Sequence, residues 1–179
     1  LSESETLADK YPFMKLGLTV AVICAVADQV SKWWMLEGVF NLSFWPPQQG
    51  FPWVDRIELL PFFNLVTVWN QGVSFGLFSN SADMTRWILV IVTSAIAVGM
   101  MVWLTKANNR FLAFSLGLIL GGAVGNIMDR IRFGAVFDFL DFFVGNYHWP
   151  AFNISDCAIT VGAILVLLEG FIVKKDEAA

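Results

Sequence analysis

The chain has 179 residues, 57% of them hydrophobic and 15% charged, with a formal net charge of −4 and a mean hydropathy of +0.66. That apolar content exceeds what a soluble domain carries, and no basic stripe is available for a phosphate backbone, so a water-soluble enzyme and a nucleic-acid binder are both excluded. An integral membrane protein of one compact domain remains.

Residues 1–12 read as a polar N-terminal tail. The apolar run over 13–36 is long enough for the roughly 20 residues that cross the hydrocarbon core. It holds Lys15, Asp28 and Lys32 and lacks a small-residue cleavage site, so it is expected as a retained first span. Asp28 and Lys32 stand four apart with the acid first, the favourable order for a pair on one helical face, and their role is read as structural. The connection over 37–86 is interrupted by Pro46, Pro47, Gly50 and Pro52. Beyond them, 57–69 is rich in β-branched and aromatic residues and is followed, after Asn70-Gln71-Gly72, by a second such stretch over 73–78. A small hairpin-like sheet on the membrane surface is predicted there, with Trp45, Trp53, Trp69 and Trp87 suited to the headgroup zone.

Further apolar runs over 87–104, 111–128 and 156–173 give four predicted spans in all, and 174–179 a short C-terminal tail. Within the third, Gly117, Gly121 and Gly125 recur every four residues beside Gly122. Such a small-residue stripe admits a neighbouring helix closely, and with no strand before it a dinucleotide-binding loop is rejected. Cys24 and Cys157 fall at different depths and are expected as free thiols. With four spans both termini share one face. That face carries Lys10, Lys15, Lys106, Arg110, Lys174 and Lys175, against Arg56, Arg86, Arg130 and Arg132 opposite. The bias places the termini in the cytoplasm and the connections over 37–86 and 129–155 outside.

Two acids, Asp138 and Asp156, stand at the edges of apolar stretches on the outer side, where an ionisable group is costly and marks function by default. Asn70, Asn126 and Asn153 suit a peptide backbone, because one amide both donates and accepts. Asp129 beside Arg130 reads as a possible bridge from the third span to its neighbours. Asp141, three after Asp138 and expected on the same short turn, rivals it as a partner for Asp156, or is solvated or paired with Arg132. The single histidine, His148, has no HExxH pattern, so no metal or cofactor is expected, and it is read as an interface-belt residue. A small transporter or a membrane adaptor using the same carboxylates is the alternative class, although neither internal repeats nor paired broken helices are visible.

Five blocks, Asp28-Gln29-Val30-Ser31-Lys32, Asn70-Gln71-Gly72-Val73-Ser74-Phe75, the run from Gly121 through Asn126 to Arg130, Val136-Phe137-Asp138-Phe139 and Phe152-Asn153-Ile154-Ser155-Asp156, together resemble the lipoprotein signal peptidases, or signal peptidase II. The resemblance spans about residues 13–173, with Ser155 where that family more often has Ala. It implies a four-span membrane aspartyl peptidase over 13–173, with an outer sheet and loop over 37–86, acting in the inner membrane on diacylglyceryl-modified prolipoproteins and cutting before the lipidated cysteine. It also implies Asp138 and Asp156 as the catalytic pair and Asn70, Gly72, Asn126, Arg130 and Asn153 as residues that shape the site and hold substrate. Asp28, Lys32 and Asp129 are carried as structural polar residues, membrane lipids as surroundings, and nothing demands more than a monomer. Two charges ~4 Å apart at an effective dielectric of about 20 repel by about 4 kcal/mol, enough to keep one proton on such a pair near neutral pH. The helix dipole at the start of the last span favours Asp156 as the ionised member.

Overall fold

The computed structural model describes residues 11–45, 47, 50–52, 56–72 and 82–177. The predicted tail over 1–10, Trp53 and the strand predicted over 73–78 lie outside the described residues. Four long helices form: α1 (Met14–Trp33), continued by a π-helical turn (Trp34–Val39), α2 (Ala82–Leu104), α3 (Arg110–Phe133) and α4 (Ile154–Glu177). All four are long and apolar enough to cross a bilayer. Three of them run past the predicted limits because polar residues excluded from an apolar count still sit on helical turns. Thus α2 opens with Asp83 and Arg86, α3 closes with Asp129, Arg130 and Arg132, and α4 carries on through Lys174 and Lys175 to Glu177.

The bundle is built around α3. Its spanning window is 61% buried, against 11–17% for the other three, so it is the helix the others pack upon. The glycine stripe explains how. A Cβ at Gly117 would lie 2.5 Å from the carbonyl oxygen of Gly17, and one at Gly121 2.5 Å from that of Ala21, so α1 rests directly on the bare backbone of α3. Gly122 meets the backbone of Ser155 and Gly125 the Ser155 hydroxyl, so α4 seats its first turn on the adjacent face. Asn109 caps the start of α3 by accepting the Leu112 amide at 2.8 Å. Gly134 ends it in the left-handed region at φ 84°, its amide donating to the Arg130 carbonyl, and turns the chain into the sheet.

The sheet is antiparallel with strand order β1 (Ile57–Leu60), β2 (Phe63–Asn70), β3 (Val136–Val144) and β4 (Tyr147–His148). Half of it comes from the connection between α3 and α4, where the sequence predicts only a short turn around Asp138. Asp138 therefore sits within a nine-residue strand rather than on a short turn. Asp138 and Asp141 are three apart and point to opposite faces of β3, whereas their partners on β2, Asn70 and Asn64, are six apart and would share a face in a regular strand. A bulge between Leu65 and Val68 shifts the register by one and reconciles the two: Asn64 opposes Asp141 before it, and Val68 opposes Asp138 after it. Met35, Leu36, Phe40, Leu65, Phe137 and Phe139 pack into a core where the sheet meets α1. Trp69 packs against this core, lying against Phe133 and Phe137 and donating to the Pro52 carbonyl.

Gly121→Ala is expected to cost roughly 1–3 kcal/mol through overpacking against α1. Gly99→Ala, on α2 with no atom within 4 Å of the new methyl, is expected to be neutral or to gain up to about 1 kcal/mol. Thermal unfolding of the detergent-solubilised variants measures both.

Candidate active site

The first turn of α4 begins with Asn153, which supplies the oxygen a helix start needs. Its side chain accepts the Asp156 amide at 3.0 Å, and the Asp156 carboxylate accepts the Asn153 amide at 3.2 Å. This reciprocal capping box uses one carboxylate oxygen of Asp156 and fixes its rotamer. The other oxygen accepts from the Asn126 amide at 2.9 Å, so α3 holds it from the opposite side. Asp156 is only partly buried.

Asp138 arrives from β3 and is 1% exposed. One oxygen accepts from the Asn153 side chain at 2.7 Å and the other from Asn70 at 3.1 Å, a diagonal neighbour across the sheet. Asn153 thus binds Asp156 with its carbonyl end and backbone and Asp138 with its amide end. Burial raises the Asp138 carboxyl first, and the charge of Asp156 raises it further. The hydrogen bonds from Asn70 and Asn153 pull the other way, and the balance leaves it at about 7.

The remaining predicted residues surround this pair. Asn70 also accepts the Gly72 amide at 2.9 Å, and Gly72 holds φ 78°, where a Cβ would strike the Leu89 side chain on α2. Arg130 donates to the Asn126 carbonyl at 3.3 Å and feels the charges of Asp156, Asp129 and Asp138, while its buried Nε has no hydrogen-bond partner. Asp28, Lys32 and Asp129 lie one layer behind, all fully buried, with Lys32 2.8 Å from both acids. The Asp28–Lys32 pair forms as the spacing indicates. Asp129 turns inward to Lys32, so the expected bridge from the third span to a neighbour is made with Lys32 of α1.

Asp141 is no rival for the pair. It faces the other side of β3, where it accepts from Asn64 at 2.9 Å and meets His148 Nδ1 at 2.9 Å. It does not reach Arg132, whose guanidinium covers the Phe44 ring and donates to Gln29. His148 is stacked on Phe143 and partners Asp141. Gln29 is the polar residue that sequence reasoning passed over. Its amide donates to Asp129 at 2.9 Å and to Asp28 at 3.2 Å, and its place beside Asp28 on the first span was the signal available.

Four membrane-length helices whose polar residues gather at one end define a multi-pass membrane enzyme. The fold matches two solved structures described as bacterial membrane enzymes: one with a TM-score of 0.72 at 26% identity, covering 92% of each chain, the other with 0.70 at 28% identity, covering 88% of this chain and 93% of that one. The family model for signal peptidase II matches residues 20–172. Among similar proteins, the lipoprotein signal peptidase of Vibrio parahaemolyticus is 44% identical over 163 residues, 90% of each chain. That of Methylorubrum extorquens is 40% identical over 153 residues, 86% of this chain and 84% of its own. The chain belongs to the signal peptidase II family and is an aspartic-type peptidase of the membrane.

Asn153→Ala is expected to lower stability by about 1 kcal/mol through the lost cap. Asn153→Ser should recover that stability without recovering peptidase activity, because a hydroxyl caps the helix but does not span to Asp138. Thermal unfolding and turnover measured on the same preparations separate the two effects.

Proposed function

We propose that this chain removes the signal peptide from diacylglyceryl-modified prolipoproteins, cutting before the lipidated cysteine, with water activated between Asp138 and Asp156. The observation that carries the reading is the Asn153 side chain, which hydrogen-bonds one acid and caps the other so that both belong to a single group. Amide hydrolysis by this route needs one carboxylate to take a proton from water and another group to give one to the carbonyl. Asp156 lies in the first turn of α4, where the helix dipole favours negative charge, and serves as the base. Asp138, buried and raised to about 7, still holds its proton in a large share of molecules at neutral pH and serves as the acid. The hydroxide forms on the scissile carbonyl carbon while the Asp138 proton passes to its oxygen. In the collapse of that adduct one hydroxyl returns its proton to Asp138 as the carbonyl re-forms, the C–N bond breaks and the departing amine takes the proton gathered by Asp156. The titration belongs to the pair as a whole.

Asn126 and Arg130 are assigned to the substrate backbone. The unpartnered Nε of Arg130 is a donor that a peptide carbonyl would satisfy. Asn70 and Gly72 form the sheet-side wall. Among the described residues α2 and α4 pack on α3 but scarcely on each other, which supports a sideways opening through which a signal helix and acyl chains enter from the bilayer. Lysine and arginine distribution supports an inner-membrane orientation with both termini cytoplasmic and the pair at the outer surface. One chain carries all of these parts, so a monomer suffices.

Gel-shift processing of a lipid-modified precursor by the purified protein tests the reading. Asp138→Asn and Asp156→Asn should each lower the rate by at least about 10³-fold, and chelators should leave the wild type unchanged. Activity from either variant near that of the wild type removes the assignment.

The pH dependence has a definite sign. Asp138 sits above its ordinary 3.8, so the acid form is lost and the rate falls as pH rises through about 7. By linkage the folded chain binds that proton more tightly than the unfolded one, and stability declines as pH rises from 3.8 to about 7, then levels off. Asp138→Asn has no proton to lose and should melt higher than the wild type at pH 8 while remaining inactive, a pair of results that calorimetry and the processing assay give together.

A further inference from the structure

The Asp28–Lys32–Asp129 group is a costly object to place inside a membrane bundle. Each of its three side chains is fully buried, and together they carry a net charge of −1. Buried ion groups of this kind are matched or exceeded in stability by apolar side chains of similar size, so fold stability alone does not account for it. What apolar residues cannot reproduce is direction.

The directions are specific. Asp28 turns one oxygen to Lys32 at 2.8 Å and the other to the amide of Ser155 at 2.9 Å. Asp129 meets Lys32 at 2.8 Å and accepts the amide of Phe137 at 3.1 Å. Ser155 immediately precedes Asp156, and Phe137 immediately precedes Asp138. One arm of the group therefore grips the chain next to each proposed catalytic acid, and the Lys32 ammonium joins the arms at a single point. Gln29 donates to both acids and closes the group on its fourth side. The arms start from different helices, α1 and α3, and end on different elements, α4 and β3.

The Ser155 contact has a second reason to exist. Its amide belongs to the first turn of α4, where no intrahelical acceptor is available. Asn153 satisfies the next amide along, that of Asp156. Asp28 supplies from α1 what α4 lacks, so the entry point of α4 is set by a neighbouring helix and not by its own sequence alone. Gly125 makes the approach possible, because a Cβ there would meet both the Ser155 hydroxyl and the Asp28 carboxylate.

We propose that Asp28, Lys32 and Asp129 are positioning residues of the peptidase, a buried ionic clamp that sets the separation of Asp138 and Asp156 by holding the backbone amides of Phe137 and Ser155. The clamp rests on the proposed pair of acids. It touches neither substrate nor water and acts only through the backbone. Misplacing a reacting group by about 1 Å costs on the order of 100-fold in rate, so loss of either arm reads out in turnover.

The test compares variants that keep or remove the acceptor, using the full chain in detergent with a lipid-modified precursor. Asp129→Asn retains an oxygen for the Phe137 amide and Asp129→Leu does not. The expected result is a fall in kcat of about 100-fold for Asp129→Leu with KM within about twofold, and recovery to within about tenfold for Asp129→Asn. Equal kcat in the two variants, or a loss that follows only the unfolded fraction, overturns the clamp. Should Asp129→Leu fail to fold, two triple variants decide. Asp28→Asn/Lys32→Met/Asp129→Asn keeps both acceptors without charge and should stay within about tenfold of wild type, whereas Asp28→Leu/Lys32→Met/Asp129→Leu should lose about 100-fold. An apolar triple with wild-type kcat overturns the proposal. Asp138→Asn and Asp156→Asn run alongside: if both remain active, the pair itself is wrong and the clamp has nothing to position, whereas if both are dead while the Leu variants turn over normally, the pair stands and the clamp alone fails.

Discussion

A carboxylate at the edge of hydrocarbon has no water to pay for its charge, so the protein must supply every hydrogen bond that water would have given. That constraint organises the end of the bundle that carries the sheet. Asn153, Asn126 and Asn70 deliver neutral donors to Asp138 and Asp156, which satisfies oxygens without adding a fixed positive charge that would hold both acids ionised. The closeness of these partners depends on features deeper in the membrane. Bare glycine backbone on α3 lets α1 and α4 come near enough for their polar groups to meet, and the left-handed Gly134 turns the chain so that β3 returns over the same spot.

The site is consequently layered. At the front are two acids with unequal surroundings, one buried on a strand and one half-exposed in the first turn of a helix. Behind them lies an ionic group that never meets solvent, and around both lies an apolar core in which Phe137 and Phe139 pack on α1. Each layer borrows from sequence-distant elements, which is why four helices and a sheet of modest size are all needed to place two side chains.

Much of this was legible in the residue order. Runs of apolar residues announced the four helices, the glycine repeat announced the tight helix packing, and the spacing of Asp28 and Lys32 announced their pairing. The blocks around Asn70, Asn126, Asp138 and Asn153 named the residues that converge. The strand carrying Asp138 was not legible, because its acids at 138 and 141 break the two-residue alternation that marks a strand, and because both faces are covered near its start. The partners of Asp129 and Asp141 were hidden for a similar reason. A local reading offers Arg130 and Arg132 to them, whereas the fold brings Lys32 and Gln29 to one and Asn64 and His148 to the other. Helix ends were read short wherever charge begins before the helix stops.

The irregularity in β2 gives this architecture an unusual sensitivity to chain length. Between Leu65 and Val68 the strand spends one more residue than its neighbour does, and the bulge absorbs that surplus, so that Asn70 attends Asp138 while Asn64 attends Asp141 on the reverse side. Exchanging one residue for another along this stretch leaves the counting intact. Removing one of the two residues between Leu65 and Val68 would still leave Asn64 opposite Asp141 and Asn70 opposite Val136, whereas adding one would slip an amide past its acid, so the segment bears shortening by one residue but not lengthening.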